Sequence, residues 1–267
     1  MATKAQATEQ ADLARARERL PVAEAFVDRL VRRFRPFIAL EPGADVLDVG
    51  AAQGVTAIAF AKAGYEAWGV EPWAAAIDVG RELAAEQGVH IEVREGVGEA
   101  LPFEDASFDY VHAYSVLEHV DDPLAVLREA HRVLRPGGGF FFSTTSAQCP
   151  VQNEIQGFPL FPWYPPRLQR AIMRWAAERR PWLVGNTTRP AIHWFHHRTV
   201  RAQLEAIGFD PVVDKWGFRA AAAEHDGARQ AVVEAAARSA PVRFLANFAV
   251  GGVEFLAVKP RRYRRMT

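Results

Sequence analysis

Residues 46–54 read Val46-Leu47-Asp48-Val49-Gly50-Ala51-Ala52-Gln53-Gly54. Val46 to Val49 make a short apolar strand, Gly50 and Gly54 bracket a tight turn, and a helix is expected over 55–63. Glycine lets the backbone approach a ligand closely. A helix N-terminus favours a negative ligand group such as a carboxylate. Asp48, at the end of the strand, would repel a pyrophosphate, and Gly50-x-x-x-Gly54 departs from the Gly-x-Gly-x-x-Gly spacing of a dinucleotide site. A ligand carrying positive charge suits this turn better. The plain alternative is an ordinary strand-to-helix turn.

A second acid weighs against that alternative. Glu71 closes the stretch Tyr65-Glu66-Ala67-Trp68-Gly69-Val70-Glu71. It lies about 20 residues past the glycine turn, the interval at which a carboxylate grips ribose hydroxyls. A surface glutamate is the bland reading, but Glu71 follows an apolar strand directly.

The first stretch resembles motif I of the class I S-adenosylmethionine-dependent methyltransferases, Asp-x-Gly-x-Gly-x-Gly. Asp48, Gly50 and Gly54 match, and Ala52 stands at the middle glycine. Gly96-Val97-Gly98-Glu99-Ala100-Leu101-Pro102-Phe103, with Ser107-Phe108-Asp109-Tyr110-Val111, resembles the family's Gly-Asp-Ala-Glu-x-Leu-Pro-Phe…Ser-Phe-Asp-x-Val segment. The family's acid that accepts from the adenine amino group falls on Val97. The backbone at Val97 and Gly98, or the Glu99 side chain, is left to take its place. Tyr114-Ser115-Val116-Leu117-Glu118-His119-Val120, before Asp121-Asp122-Pro123, resembles the family's Leu-Glu-His-Val segment. Leu134-Arg135-Pro136-Gly137-Gly138-Gly139-Phe140 resembles the turn before the fifth strand, and His197 to Phe209 the helix and turn before the sixth. The first five matches run in order over residues 40–145.

The resemblance implies an α/β fold: a Rossmann-like, seven-stranded, mostly parallel sheet with helices on both faces and an antiparallel last strand. It implies S-adenosylmethionine as cofactor, held by Asp48, Gly50, Ala52, Gly54, Glu71, Val97, Gly98, Glu99, Ala113 and Tyr114. The acceptor it implies is a small or lipid-linked molecule, methylated on oxygen in the leading reading, with nitrogen and carbon as alternatives. Three rivals stand beside this. The departures at Ala52 and Val97 leave room for a cofactor-binding regulator or scaffold without catalysis. A nucleic-acid methyltransferase is disfavoured by zero net charge and by the lack of an Asn/Asp-Pro-Pro-aromatic tetrad. A nicotinamide oxidoreductase is disfavoured by Asp48 and the glycine spacing.

The 267 residues, 49% of them hydrophobic, suffice for one large domain. Zero net charge gives no reason to expect nucleic acid as a partner. The single Cys149 excludes an intramolecular disulfide and fits a reducing compartment. There is no apolar run of signal-peptide type and no stretch of about 18 apolar residues, so a cytoplasmic location is expected. No sequence signal sets an oligomeric state.

Residues 1–40 read as N-terminal helices, a polar mobile one over 4–20 and an amphipathic one over 22–38 carrying Val22, Phe26, Val27, Leu30, Val31 and Phe34. The cofactor half, 41–146, alternates strands near 45–49, 66–71, 90–94, 108–113 and 139–145 with helices near 55–63, 74–87 and 123–134. Such alternation implies parallel pairing with right-handed crossovers. The C-terminal half, 196–267, adds a helix over 197–207 and strands near 210–216 and 251–258.

Residues 147–195 interrupt this pattern with seven prolines and eight tryptophan, tyrosine or phenylalanine residues. A linker would be polar. The segment is read as a lid or substrate insertion, or as a cap with its own satellite core, and the two are compatible. Substrate-binding candidates are Tyr114, His119, Phe161, Trp163, Tyr164, His193 and His196. His119 is also the candidate base for a hydroxyl acceptor, packing of its loop being the alternative. His193, His196 and His197 lack an accompanying Cys or carboxylate cluster, so no metal is expected. Arg167, Arg170 and Arg174 alternate with apolar residues, and the tail holds Lys259, Arg261, Arg262, Arg264 and Arg265. These read as a solvated face and a frayed terminus, or as peripheral contacts to an anionic membrane.

Overall fold

The computed structural model describes residues 4–151, 154–185, 189–223, 227–249 and 251–261. Among these, the strands are β1 (Asp45–Val49), β2 (Glu66–Glu71), β3 (Glu92–Glu95), β4 (Phe108–Tyr114), β5 (Leu134–Thr144), β6 (Val212–Asp214) and β7 (Val253–Val258). They form one sheet in the order β3-β2-β1-β4-β5-β7-β6. β1 to β5 pair in parallel, and β7 runs antiparallel to both neighbours. The chain reverses its progress across the sheet between β1 and β4, and ligands of such sheets bind outside the carboxyl ends at that point.

The helices are α1 (Lys4–Phe34), α2 (Val55–Lys62), α3 (Ala74–Glu86), α4 (Pro123–Val133), α5 (Pro166–Arg179), α6 (His197–Ile207), α7 (Lys215–Ala222), α8 (Gly227–Arg238) and α9 (Ala240–Ala249). Strand side chains alternate between faces. Val46, Tyr110, Phe141 and Leu256 enter one core with α1, α2 and α3. Leu47, Val49, Val111, Phe140 and Phe255 enter the other with α4 and α6. α4 begins as its sequence requires: Pro123 opens it, and Asp122 Oδ1 accepts from Leu124 N at 2.9 Å and Ala125 N at 3.2 Å.

Several expectations are corrected. The N-terminal region is one helix with Pro21 inside it, not two. Leu13, Ala16, Leu20, Val27, Leu30 and Phe34 recur on one face and are all buried, so the stripe carries the helix past the proline. The polar part is thus anchored from Leu13 onward. β5 starts at Leu134 rather than 139, with a register shift against β4 between Phe108 and Tyr110 that absorbs Pro136 and the glycines. The strand expected near 210–216 ends at Asp214, and α7, α8 and α9 lie between it and β7. Lys259 is no frayed residue: its Nζ donates to the carbonyls of His131 at 2.8 Å and Leu134 at 2.7 Å. Arg262, Arg264 and Arg265 lie outside the described residues.

The 147–195 segment holds short 3-10 turns at Phe161–Trp163 and Pro181–Leu183 on either side of α5. Ile155, Phe161, Met173, Ala176, Val184 and Ala191 close into a satellite core. Each large side chain buried there contributes about 1.5–3 kcal/mol. The cap reading therefore accounts for four of its eight aromatics, Phe158, Phe161, Tyr164 and Trp194. No helix among the described residues is long and apolar enough to cross a membrane.

Candidate functional site

A cavity of about 900 Å³ opens at the carboxyl ends of β1, β2 and β4. Asp48 shares the strand face of Val46, so its side chain leaves the sheet toward α1 and α2 and lies at the cavity floor, buried. Burial, with the neighbouring Glu71 charge, pushes its pKa up to about 8. Glu71 sits at the end of β2. Its Oε2 accepts from Ala52 N at 2.8 Å and its Oε1 from Trp73 N at 3.3 Å. Burial raises the Glu71 pKa despite these two bonds, which lower it. Two buried carboxylates side by side are relieved by a ligand that brings a cation or hydrogen-bond donors.

The turn between them needs its small residues. Gly50 has φ +72°, and a Cβ there would stand 2.6 Å from Val116 Cγ2. Ala52 keeps a left-handed φ of +47° in spite of its methyl group, a conformation that costs an L-residue about 1–2 kcal/mol. The bond from its N–H to Glu71 helps hold it. Gly54 shapes the turn as the left-handed cap of α2 and is not on the wall.

Val97, Gly98 and Glu99 line a further wall. Glu99 Oε1 accepts from Asp121 N at 2.9 Å. Its Oε2 is buried with no partner among the described residues, an acceptor suited to an amino group. Ala113 is corrected: it shares the face of Val111, in the opposite core.

Tyr114, Val116, His119 and Val120 form the mouth. His119 Nε2 lies 3.9 Å from Glu154 Oε2, while its Nδ1 is buried. Burial lowers the His119 pKa more than the backbone groups of Arg189 and Pro190 raise it. Beneath it, Glu118 accepts from Thr144 Oγ1 at 2.7 Å, and burial pushes Glu118 up to about 7. The Glu118 carbonyl accepts from Ile192 N at 2.8 Å and His193 N at 3.3 Å, pinning the end of the cap to this loop. Glu118, His119 and Glu154 bring three ligand-capable atoms within 4.8 Å of one another, the group among the described residues that could take a cation.

The other substrate candidates do not reach the cavity. Phe161 and Tyr164 are spent on the satellite core, and Trp163 Nε1 donates to Ala147 O at 3.1 Å. His193 Nε2 donates to Val120 O at 3.0 Å, and His196 precedes the first turn of α6. His197 faces Asp214 at 3.1 Å, so the three histidines do not converge.

Three contributors escaped the sequence reading: Glu154, Arg189 and the roof. The roof is α1, which lays Glu18, Arg19, Val22, Ala23, Phe26 and Arg29 over the cavity. The Phe26 ring stands edge-on to Tyr114 at 5.5 Å. One signal was present. Val22 falls almost opposite the Leu20, Val27 and Phe34 stripe at 100° per residue, and it is 69% exposed. Glu154 and Arg189 lie in a segment without motifs, and only the fold brings them here.

Residues 18–214 match the family described as a methyltransferase domain. The ubiquinone biosynthesis O-methyltransferase of Pseudomonas entomophila (strain L48) is 40% identical over 103 residues, 38% of this chain and 44% of that protein. The chain thus spans less than half the length of the curated relatives it matches. Phosphoethanolamine N-methyltransferase 2 of Haemonchus contortus, solved with S-adenosyl-L-methionine, superposes with a TM-score of 0.56 at 15% identity, covering 87% of this chain and 52% of that one. The [4+2]-cyclase SpnF superposes with a TM-score of 0.52 at 22% identity, covering 87% and 81%. At such identities the two structures show a shared fold and nothing of the reaction.

Proposed function

Since this chain belongs to the methyltransferase-domain family, whose cofactor is S-adenosylmethionine, we propose that it transfers the donor's methyl group to an oxygen of a small or lipid-linked acceptor. The observation that carries this is the pair of buried carboxylates, Asp48 and Glu71, on either side of a left-handed turn at the cavity floor. With the unpartnered Glu99 Oε2 they match a ligand that bears a cation, hydroxyls and an amino group. Glu71 keeps one lone pair on each oxygen beyond its backbone bonds and accepts from the ribose hydroxyls. Asp48 balances the donor's positive charge, and Glu99, in place of the acid absent at Val97, accepts from the adenine amino group. Bound there, the cofactor supplies a methyl carbon already activated by a cationic sulfur.

The protein's remaining work is to position the acceptor and to exclude water. Alignment alone supplies on the order of 7–11 kcal/mol. Phe26, Val22 and Tyr114 cover the mouth with apolar and aromatic surface. His119 takes the acceptor hydroxyl's proton at Nε2, and Glu154, 3.9 Å away, balances the imidazolium that results. The likeness to O-methyltransferases supports oxygen as the methylated atom. The test is incubation with S-adenosylmethionine and a panel of phenols, catechols, amines and carbon acids, with products read by mass spectrometry. Methylated phenol or catechol with release of S-adenosylhomocysteine is expected. Tight cofactor binding without transfer to any class would favour the non-catalytic reading.

A further inference from the structure

The outer surface of the cap carries a feature that methyl transfer does not use. α5 buries Gln169, Met173 and Ala176 on its inner side. At 100° per residue the rest of its circumference splits in two. Leu168 and Trp175, each almost half exposed, stand on one flank. Arg167, Arg170 and Arg174, all exposed, stand on the other. Residues 166–182 hold five arginines against one acid, Glu178, in a chain of zero net charge.

Exposed aromatic residues also flank the helix in the chain on both sides. Trp182 is 64% exposed, with the Arg180 guanidinium 5.3 Å above its ring. On the other side, the exposed Trp163 packs against Phe248 of α9 at 6.0 Å, and Phe248 against Phe244 at 5.1 Å. Leu245, beside them, is 68% exposed.

Several large apolar side chains left in water within one part of the chain mark a contact site. Tryptophan and arginine side by side match a particular surface. The ring rests at the level of lipid headgroups, and the guanidinium meets phosphate while its stem lies along acyl chains. We propose that α5, the Pro181–Leu183 turn and α9 form a docking surface for an anionic lipid bilayer. The contact is peripheral, because no described helix could cross the membrane. A second copy of the chain fits this face less well, since a two-fold contact centred on α5 would set the same arginine row against itself. The proposal stands whether or not the acceptor is lipid-linked.

The test is co-sedimentation of the full chain with vesicles of equimolar phosphatidylglycerol and phosphatidylcholine, and with phosphatidylcholine alone. Binding to the first is expected, weakened by added salt and accompanied by a blue shift of tryptophan emission. Each arginine near such a surface contributes roughly fivefold, so the Arg167→Gln/Arg170→Gln/Arg174→Gln variant should partition on the order of 100-fold less. Trp175→Ser with Trp182→Ser should lower partitioning while leaving its salt dependence in place. All five positions are exposed, and an unchanged melting temperature verifies that each variant is folded. Absence of binding to the anionic vesicles, equal partitioning onto phosphatidylcholine, or an undiminished arginine variant would overturn the proposal. So would concentration-dependent self-association in sedimentation velocity that Trp175→Ser abolishes.

Discussion

Replacing Glu71 with glutamine keeps the side chain's shape and removes its charge. In the native site Oε2 accepts from Ala52 N at 2.8 Å and Oε1 from Trp73 N at 3.3 Å. A primary amide has one oxygen and one NH₂ group, so one of those backbone donors must then face another donor. Leaving a buried N–H unpaired costs about 1–3 kcal/mol. If the oxygen stays with Ala52, the shorter bond and the left-handed turn survive, and the loss falls on Trp73. For the cofactor, the variant forfeits charge-assisted acceptance from the ribose hydroxyls, about 1.5–3 kcal/mol, so its Kd should rise roughly 10- to 150-fold. Calorimetric titration with S-adenosylhomocysteine, which cannot turn over, reads the affinity. A melt without ligand reads the stability. A Kd within about threefold of the parent's in a folded variant would refute the placement of ribose on Glu71.

The remaining expectations concern pH, the base and the cap. The Asp48 pKa stands at about 8, against 3.8 in a free chain. Its contribution to stability is therefore whole below pH 3.8 and is lost as pH rises through about 8. The ligand-free melting temperature should decline across that window, and Asp48→Asn should flatten the decline. A cationic ligand favours the ionised form, so cofactor binding at neutral pH should release a proton in the parent and none in Asp48→Asn, as titrations in buffers of different ionisation enthalpy would report. His119→Ala should lower turnover roughly 10²–10⁴-fold with cofactor affinity kept. Because burial lowers the His119 pKa, the acid limb of the parent's rate profile should fall below the usual value of about 6.5 and vanish in the variant. Near-parental turnover with an unchanged limb would make His119 a packing residue. Phe161→Ala should cost about 3–5 kcal/mol and speed hydrogen exchange across 154–185 while leaving the cofactor Kd alone. Weakened cofactor binding in the folded variant would instead tie the cap to the donor site.

The end of the cavity proposed to hold the donor was legible because it is local. Asp48, Gly50, Ala52 and Glu71 lie in two strand-and-turn units, and strand parity alone sends Asp48 toward the cavity and Ala113 away from it. The acceptor end was not legible, because its parts meet only through the fold. Glu154 of the cap meets His119 of the loop after β4, and Arg189 arrives from the other end of the same segment. Aromatic content misled where burial was the explanation. Phe161 and Tyr164 face a satellite core whose existence no periodicity announces, and of the histidines near 195, His193 turns to the carbonyl of Val120 while His197 faces Asp214. α1 was read as two helices because Pro21 is a strong breaker, whereas the buried face on both sides of it decides the outcome.

The cavity's two ends are therefore separable parts. Asp48 through Glu99 is one continuous run, and it supplies the three carboxylates assigned to the donor. The roof and mouth come from distant parts of the chain: α1 around Phe26, Tyr114 to His119, and the single residues Glu154 and Arg189. Exchanging the cap for that of another fold member is expected to change which acceptor is admitted while the affinity for S-adenosylmethionine is kept. A chimera carrying a foreign cap would have to keep the contacts that anchor it here, among them the amides at 192 and 193 that close onto the carbonyl of Glu118 and the His193 ring on the carbonyl of Val120.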